Sequence, residues 1–172
     1  MSTPTTNLRP LVVVMGVSGS GKTTVGRALA VRLGIEFADA DAFHSEASVA
    51  KMVSGHPLDD DDRAPWLKAT GEWLADHHDR GGVVGCSALR RRYRDVLRSA
   101  APRLVFLHLT GDAAVLTERV ANRPGHFMPV SLITSQLETL EPLEADERGN
   151  DLDLTAPVDR IVTAFIATLD VP

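Results

Sequence analysis

Residues Gly16 to Thr23 read GVSGSGKT, a Gly-x-x-x-x-Gly-Lys-Thr run. The chemistry open to that spacing is phosphate binding. Glycines let successive backbone N–H groups curl around phosphate oxygens with no Cβ in the way. The lysine reaches the β- and γ-phosphates of a nucleotide, and the following hydroxyl can hold Mg²⁺. The run ends LVVVMG (Leu11–Gly16), which reads as a short buried strand, and opens KTTVGRALAVRLG (Lys22–Gly34), which has helical spacing and a terminal glycine. That strand–loop–helix context is the one the motif requires, and the helix N-terminus adds its dipole. A glycine-rich turn that binds nothing is the plainer alternative, and the flanking elements argue against it. The expected nucleotide contacts are Gly16, Val17, Ser18, Gly19, Ser20, Gly21, Lys22, Thr23 and Thr24, with Lys22 catalytic and Thr23 on the metal.

A second chemical cluster is DADAFH, Asp39 to His44. Asp39 and Asp41 lie two apart on what reads as an extended segment, so both carboxylates can face one side. Following the second strand, they fall near the γ-phosphate. One can hold a metal-bound water, while the other takes a proton from an acceptor hydroxyl. A helix-capping turn is the alternative reading.

A phosphate loop alone leaves three classes open: small-molecule kinase, GTPase switch, and motor or regulatory ATPase. No Asn-Lys-x-Asp guanine reader is present. The strand GVVGC (Gly82–Cys86) ends in small residues rather than in a metal-binding acid. A kinase needs an acceptor pocket and a lid that excludes water, and the remaining motifs look like both.

The elements that position these residues alternate. Strands are expected at 11–16, 35–39, 82–86, 103–109 and 151–154. Helices are expected at 22–34, 45–54, 63–80, 90–100, 112–121, 131–140 and 157–169. Alternation of this kind implies a parallel sheet covered on both faces, with ligands beyond the carboxyl ends of the strands. The 172 residues suit one domain, with residues 1–10 as a flexible lead. At 44% hydrophobic and 24% charged, the composition is that of an ordinary globular protein. A net charge of −5 argues against a nucleic-acid or membrane surface, which needs a basic stripe. One cysteine, Cys86, excludes an intramolecular disulfide and a Cys-rich metal site, and fits a cytoplasmic location.

The segments GVSGSGKTTVG, DADAFH, KMVSGHPLDDDDRAPWL, CSALRRRYRDVLR, GHFMP and QLETLEPLEADE together resemble the P-loop gluconate kinases. The resemblance runs in order from about Leu11 to Pro157. The phosphate loop is shared by many families, whereas GHPLDDDDRAPWL, CSALRRRYRD and GHFM are much more specific. The resemblance implies ATP-dependent phosphorylation of D-gluconate at its 6-hydroxyl, with Mg²⁺. It implies an α/β fold of the adenylate-kinase and shikimate-kinase type, with sheet order 2-3-1-4-5. It also implies a homodimer, as family members often are. One departure is Asp39-Ala40-Asp41, where the family commonly has Asp-Gly-Asp; alanine is expected to change little.

With gluconate as acceptor, Arg63 becomes the natural clamp for its carboxylate, because a guanidinium fork matches that group bidentately. It falls where the related shikimate kinases place a carboxylate-binding arginine. Asp59 to Asp62 are expected mostly to cap and complement the following helix, with at most Asp60 or Asp61 touching Arg63 or a sugar hydroxyl. Pro65 is expected in the first helical turn, and Trp66 and Trp73 in the core. His44 and Lys51 are candidates for gluconate hydroxyl and carboxylate, against the alternative of ordinary surface or structural roles. Ser87 and Ala88 are expected near substrate. Of the arginine run, Arg91 and Arg94 are the candidates. Asp41 is assigned to the acceptor hydroxyl and Asp39 to Mg²⁺ through water.

TERVANRPGHFMP sets Arg119 and Arg123 four apart on one helical face, followed by the glycine and prolines of a lid at about 121–131. Arg123 is the candidate for neutralising charge on the transferring group, and His126 for contacting gluconate or phosphate. By the resemblance, Arg119 packs on the adenine, and LTAPVD (Leu154–Asp159), with Pro157, forms its edge. The rival readings are a kinase of another small hydroxy acid such as shikimate and a nucleotide-binding regulatory module without an acceptor.

Overall fold

A computed structural model describes residues 9–122 and 130–169 of the chain. Its centre is a five-stranded sheet: β1 (Leu11–Met15), β2 (Glu36–Asp39), β3 (Gly82–Gly85), β4 (Val105–Thr110) and β5 (Gly149–Asp153). The order is β2-β3-β1-β4-β5, and every pairing is parallel. This is the sheet order implied by the resemblance. β1 lies in the middle, with Val13 opposite Val84 on one side and Phe106 on the other. All five of its residues are buried, which explains the unbroken apolar run: a parallel strand covered on both faces has no wet side to mark with polar residues.

Among the described residues seven α-helices cover the faces: α1 (Lys22–Leu33), α2 (Glu46–Val53), α3 (Asp60–Asp76), α4 (Arg91–Ala100), α5 (Ala113–Ala121), α6 (Val130–Thr139) and α7 (Val158–Leu169). The period-2 alternation of β1 sorts its side chains between two cores. Val12 and Val14 pack with Leu29 of α1, Leu116 of α5 and Phe165 of α7. Leu11, Val13 and Met15 pack with Trp66 and Leu74 of α3 and with Tyr93 and Leu97 of α4. Trp66 is buried, as expected, and Trp73 is partly buried against the same cluster.

Three expectations shift. α3 begins at Asp60, not at Arg63. Asp59 and Asp62 form a reciprocal capping box, each side chain accepting the other's backbone N–H at 2.8 and 2.9 Å, so the acids start the helix three residues earlier. Pro65 consequently sits in the second turn. There its missing donor leaves the carbonyl of exposed Asp61 to water. Second, the 103–109 and 151–154 strands begin at Val105 and Gly149 instead. Third, Arg9 and Pro10 are anchored and so do not belong to a flexible lead: Arg9 Nη1 donates to the Gly34 carbonyl at 2.7 Å, and the Gly82 amide donates to the Pro10 carbonyl at 3.1 Å.

Candidate active site

The loop between β1 and α1 takes its shape from glycine. Gly19 and Gly21 adopt φ of +83° and +94°, a region that side chains with a Cβ rarely enter. A Cβ on Gly19 would also come within 2.8 Å of the Val120 side chain. The result is a cavity of about 120 Å³ lined by Ser18, Gly19, Gly21, Lys22, Thr23, Thr24, Asp39, Asp41 and Gly85. Gly16, Val17 and Ser20 are buried behind that lining. Lys22 Nζ donates to the Val17 carbonyl at 3.0 Å.

Asp39 and Asp41 reach the same cavity by a different geometry from the one expected. The chain leaves its extended path at once: Ala40–Phe43 form a 3-10 turn capped by Asp39, whose Oδ1 accepts the Asp41 amide at 2.9 Å. The capping alternative is therefore realised alongside the chemical one. Asp39 Oδ2 accepts from Thr23 Oγ1 at 3.1 Å, joining β2 to the end of the phosphate loop. Ala40 is wholly buried, and its carbonyl accepts from Trp66 Nε1 at 2.7 Å. Its φ is not positive, so alanine meets no backbone strain there.

His44 lies at the end of this turn. Its ring stacks on Trp66, with centroids 4.5 Å apart and planes 13° apart, and its Nε2 is 4.0 Å from Asp41 Oδ1. Burial pushes its pKa below the ordinary histidine value, only partly opposed by the Asp41 charge. The ring is therefore neutral at pH 7 and offers a hydrogen bond rather than a charge. Its Nδ1 is buried without a partner among the described residues.

A second, wider hollow of about 520 Å³ opens between α3, α4 and α6. Arg63, Arg90, Tyr93, Ser135 and Thr139 line it, along with Asp59, Asp60 and Asp61. Arg63 Nη1 donates to the Tyr93 hydroxyl at 2.9 Å, and that hydroxyl donates to Asp60 Oδ1 at 2.6 Å. Arg63 also stands 5.2 Å over the Tyr93 ring. Asp60 thus reaches Arg63 through a tyrosine rather than directly. The Tyr93 hydroxyl, followed by Arg92, holds its carboxyl below the usual carboxylate range. A small adjoining cavity is shared by Arg63 and Gln136, and Gln136 Oε1 accepts from the Ser18 amide at 2.7 Å. Gln136 therefore links the phosphate loop to the cavity that Arg63 also lines.

Three sequence candidates turn out to be engaged elsewhere. Arg94 is wholly buried and bound to Glu147, so it has no donor for a substrate. Arg91 points to the acidic segment after α6, with Nη2 2.7 Å from Asp146 Oδ2, Nε 2.9 Å from Asp95 Oδ1, and Glu144 also in contact. Lys51 Nζ donates to Asp62 Oδ2 at 2.7 Å, tying α2 to the α3 N-terminus. One physical cause covers all three: each cation meets a carboxylate distant in sequence. Ser87 follows β3, and its carbonyl accepts the Gly16 amide at 3.4 Å, which puts it beside the phosphate loop. Ala88 is wholly buried and lines none of the cavities described above.

At the nucleotide end, Arg119 Nη2 donates to the Leu154 carbonyl at 3.1 Å. That contact brings its guanidinium beside the Leu154–Pro157 segment expected at the adenine edge. Arg123 and His126 lie outside the described residues, as does most of the expected lid. Sequence reasoning overlooked Tyr93 and Gln136, and set Arg90 aside in favour of Arg91 and Arg94. Tyr93 and Gln136 sat inside quoted motifs, YRD and QLETLE, yet nothing in their types marked them as facing a cavity.

The comparisons agree with this geometry. The family model for shikimate kinase matches residues 18–150. A gluconokinase of Gluconobacter oxydans (strain 621H) is 49% identical over 81% of this chain and 80% of its own. The crystal structure of a gluconokinase from Sinorhizobium meliloti 1021 superposes with a TM-score of 0.85 at 48% identity, over 94% of this chain and 92% of that one. An unliganded sugar kinase from Janibacter sp. HTCC2649 gives 0.89 at 51%, with 94% of each chain covered. On these likenesses, and on a phosphate loop flanked by Asp41 and an arginine-lined hollow, the chain belongs to the gluconokinase family of shikimate-kinase-like P-loop kinases.

Proposed function

We propose that the protein transfers the γ-phosphoryl group of ATP to the 6-hydroxyl of D-gluconate, giving 6-phosphogluconate and ADP. The observation that carries this reading is the pairing of two cavities. One is a phosphate-loop cavity bearing Lys22 and Asp41; the other is a hollow bearing Arg63. A kinase needs a donor site and an acceptor site side by side, and a sugar acid needs a cation at the far end of the acceptor site.

In the reaction, the 6-hydroxyl oxygen forms a bond to the γ-phosphorus as the bond to the β,γ-bridging oxygen breaks. ADP leaves, and the hydroxyl proton passes to the Asp41 carboxylate. Lys22 steadies the β- and γ-phosphate charge, together with the loop amides. Because the transition state is loose, alignment contributes more than basicity. Arg63 and the neutral His44 ring would hold the acid and a hydroxyl of gluconate. Arg119 and Pro157 would flank the adenine. Arg123, in a lid at about 121–131, is retained as the cation for the transferring group, with His126 closing on substrate.

The donor set at Thr23 and Asp39, a hydroxyl and a carboxylate 3.1 Å apart at the phosphate cavity, suits a hard cation such as Mg²⁺. Bound there, Mg²⁺ would neutralise phosphate charge; Thr23 would ligate it and Asp39 would hold it through water. The chain is read as a single domain working in the cytoplasm, where buried Cys86 stays reduced, and as a homodimer. No helix among the described residues is long and apolar enough to cross a membrane.

The test is ADP release from ATP·Mg²⁺ with D-gluconate, other sugar acids, glucose, shikimate, or no acceptor. Turnover with gluconate far above the rest is expected. Preference for shikimate would unseat the acceptor, and nucleotide binding without acceptor-dependent turnover would leave a regulatory module.

A further inference from the structure

The arginines at the start of α4 divide by partner. Arg91 is held by Asp95, Glu144 and Asp146. Arg92 donates to Asp60 at 2.5 Å, and Arg94 to Glu147 at 2.6 Å. Arg90 differs. Its guanidinium makes no hydrogen bond to any described residue. Its nearest carboxylate oxygen, on Glu141, is 3.8 Å away, and its Nε is buried without a partner. A buried unpaired N–H on a permanent cation is costly, so the placement of Arg90 calls for an explanation.

The backbone explains the difference. Arg90 precedes the helix with φ −104° and ψ 146°, whereas Arg91 and Arg94, three apart, share the helical face turned to the acidic 144–147 segment. Arg90 instead lines the hollow that Arg63 lines. The hollow's acids are largely engaged: Asp60 by Arg92 and Tyr93, and Asp59 by the Asp62 amide. Arg63 makes its own hydrogen bond to a neutral hydroxyl. The hollow therefore presents two guanidiniums, neither within hydrogen-bond distance of a carboxylate.

We propose that Arg90 acts with Arg63 as the second cation that binds the acceptor's carboxylate, and so sets the choice of a sugar acid over a neutral polyol. This rests on the gluconate reading above. It also moves that role away from Arg91 and Arg94 to the arginine of the run whose guanidinium makes no hydrogen bond to a described residue and only a 3.8 Å ion pair, with Glu141.

The experiment compares wild type, Arg90→Gln and Arg90→Lys. It measures initial rates against gluconate and against ATP, inhibition by D-glucitol (the same carbon chain without the acid), and thermal midpoints. In Arg90→Gln the KM for gluconate is expected to rise about thirtyfold, the loss of a charge-assisted hydrogen bond. The KM for ATP and the inhibition constant of glucitol should stay within about twofold, the scatter expected of a residue making no contact with either. Arg90→Lys should fall between, since the charge remains but the fork is lost. An unchanged KM for gluconate in Arg90→Gln overturns the proposal. So does an equal rise in the KM for both substrates, with a lowered midpoint, which would mark Arg90 as merely structural. No gluconate turnover by the wild type overturns the acceptor reading itself, a result distinguishable from either.

Discussion

Arg94 and Glu147 form a bidentate ion pair with no solvent exposure on either side chain, Nε lying 2.6 Å from Oε2 and Nη2 3.1 Å from Oε1. The remaining donors of Arg94 go to the carbonyls of Ala88, Leu89 and Pro142 at 3.0, 3.3 and 3.1 Å. All five N–H groups are thereby placed. Ala88 adopts φ +45°, the only left-handed non-glycine among the described residues. An alanine there costs roughly 1–2 kcal/mol, so the buried pair holds a strained turn. That turn lies between Ser87, whose carbonyl accepts the Gly16 amide, and Arg90, which lines the wider hollow.

Glu147→Ala should therefore do more than remove a surface charge. It leaves a guanidinium buried without its counter-ion, a loss of about 3–5 kcal/mol. Urea denaturation would show it, and a change below about 1 kcal/mol, the scale of an exposed pair, would mean that the pair does not support the turn.

Lys22→Ala should cut turnover by at least the roughly 10²–10³-fold seen when one preorganised transition-state donor is lost. The Lys22 Nζ donates to the Val17 carbonyl at 3.0 Å, at the edge of the phosphate cavity. The thermal midpoint is expected to move little. Substantial residual turnover would put the phosphate charge under other groups.

Asp41→Ala is expected to lower kcat by about 10²–10⁴, the range of a positioned acid–base group, while the KM for ATP changes little. Asp41 is exposed to the cavity and caps nothing itself; the cap of its turn is Asp39. A near-normal kcat would remove Asp41 from the mechanism.

Arg63→Lys should raise the KM for gluconate more than that for ATP, because an ammonium cannot fork a carboxylate. Tyr93→Phe should raise it less, since the hydroxyl at 2.9 Å only orients the guanidinium. Equal changes for both substrates would dismiss the clamp.

Acid stability follows from the α4 surface network. Arg91 holds the Asp146 carboxyl down to about 2, from an ordinary value of 3.8. A carboxyl whose folded pKa is depressed contributes stability that is complete above its unfolded value and lost as pH falls through the folded one. Stability should therefore drop between about pH 4 and pH 2. Asp146→Asn should flatten that part of the curve in urea melts. An unaltered slope would show the pair to be thermodynamically silent.

Local chemistry made the phosphate loop, its strand and its helix legible in the sequence, because backbone curvature, lysine reach and hydroxyl ligation all depend on neighbours within eight residues. The alternation of strands and helices likewise announced a parallel sheet, and the run of aspartates announced a capped helix, although the capping box starts it at Asp60 rather than Arg63. Which arginine of the run lines the wider hollow was not legible. Arg90, Arg91 and Arg94 are alike in type and adjacent in sequence; what separates them is Glu144, Asp146 and Glu147, more than fifty residues away, folding back onto one face of α4. Lys51 was removed from the site in the same way by Asp62. Charge partners at long range are chosen by packing, and only the folded chain shows which cations are already satisfied.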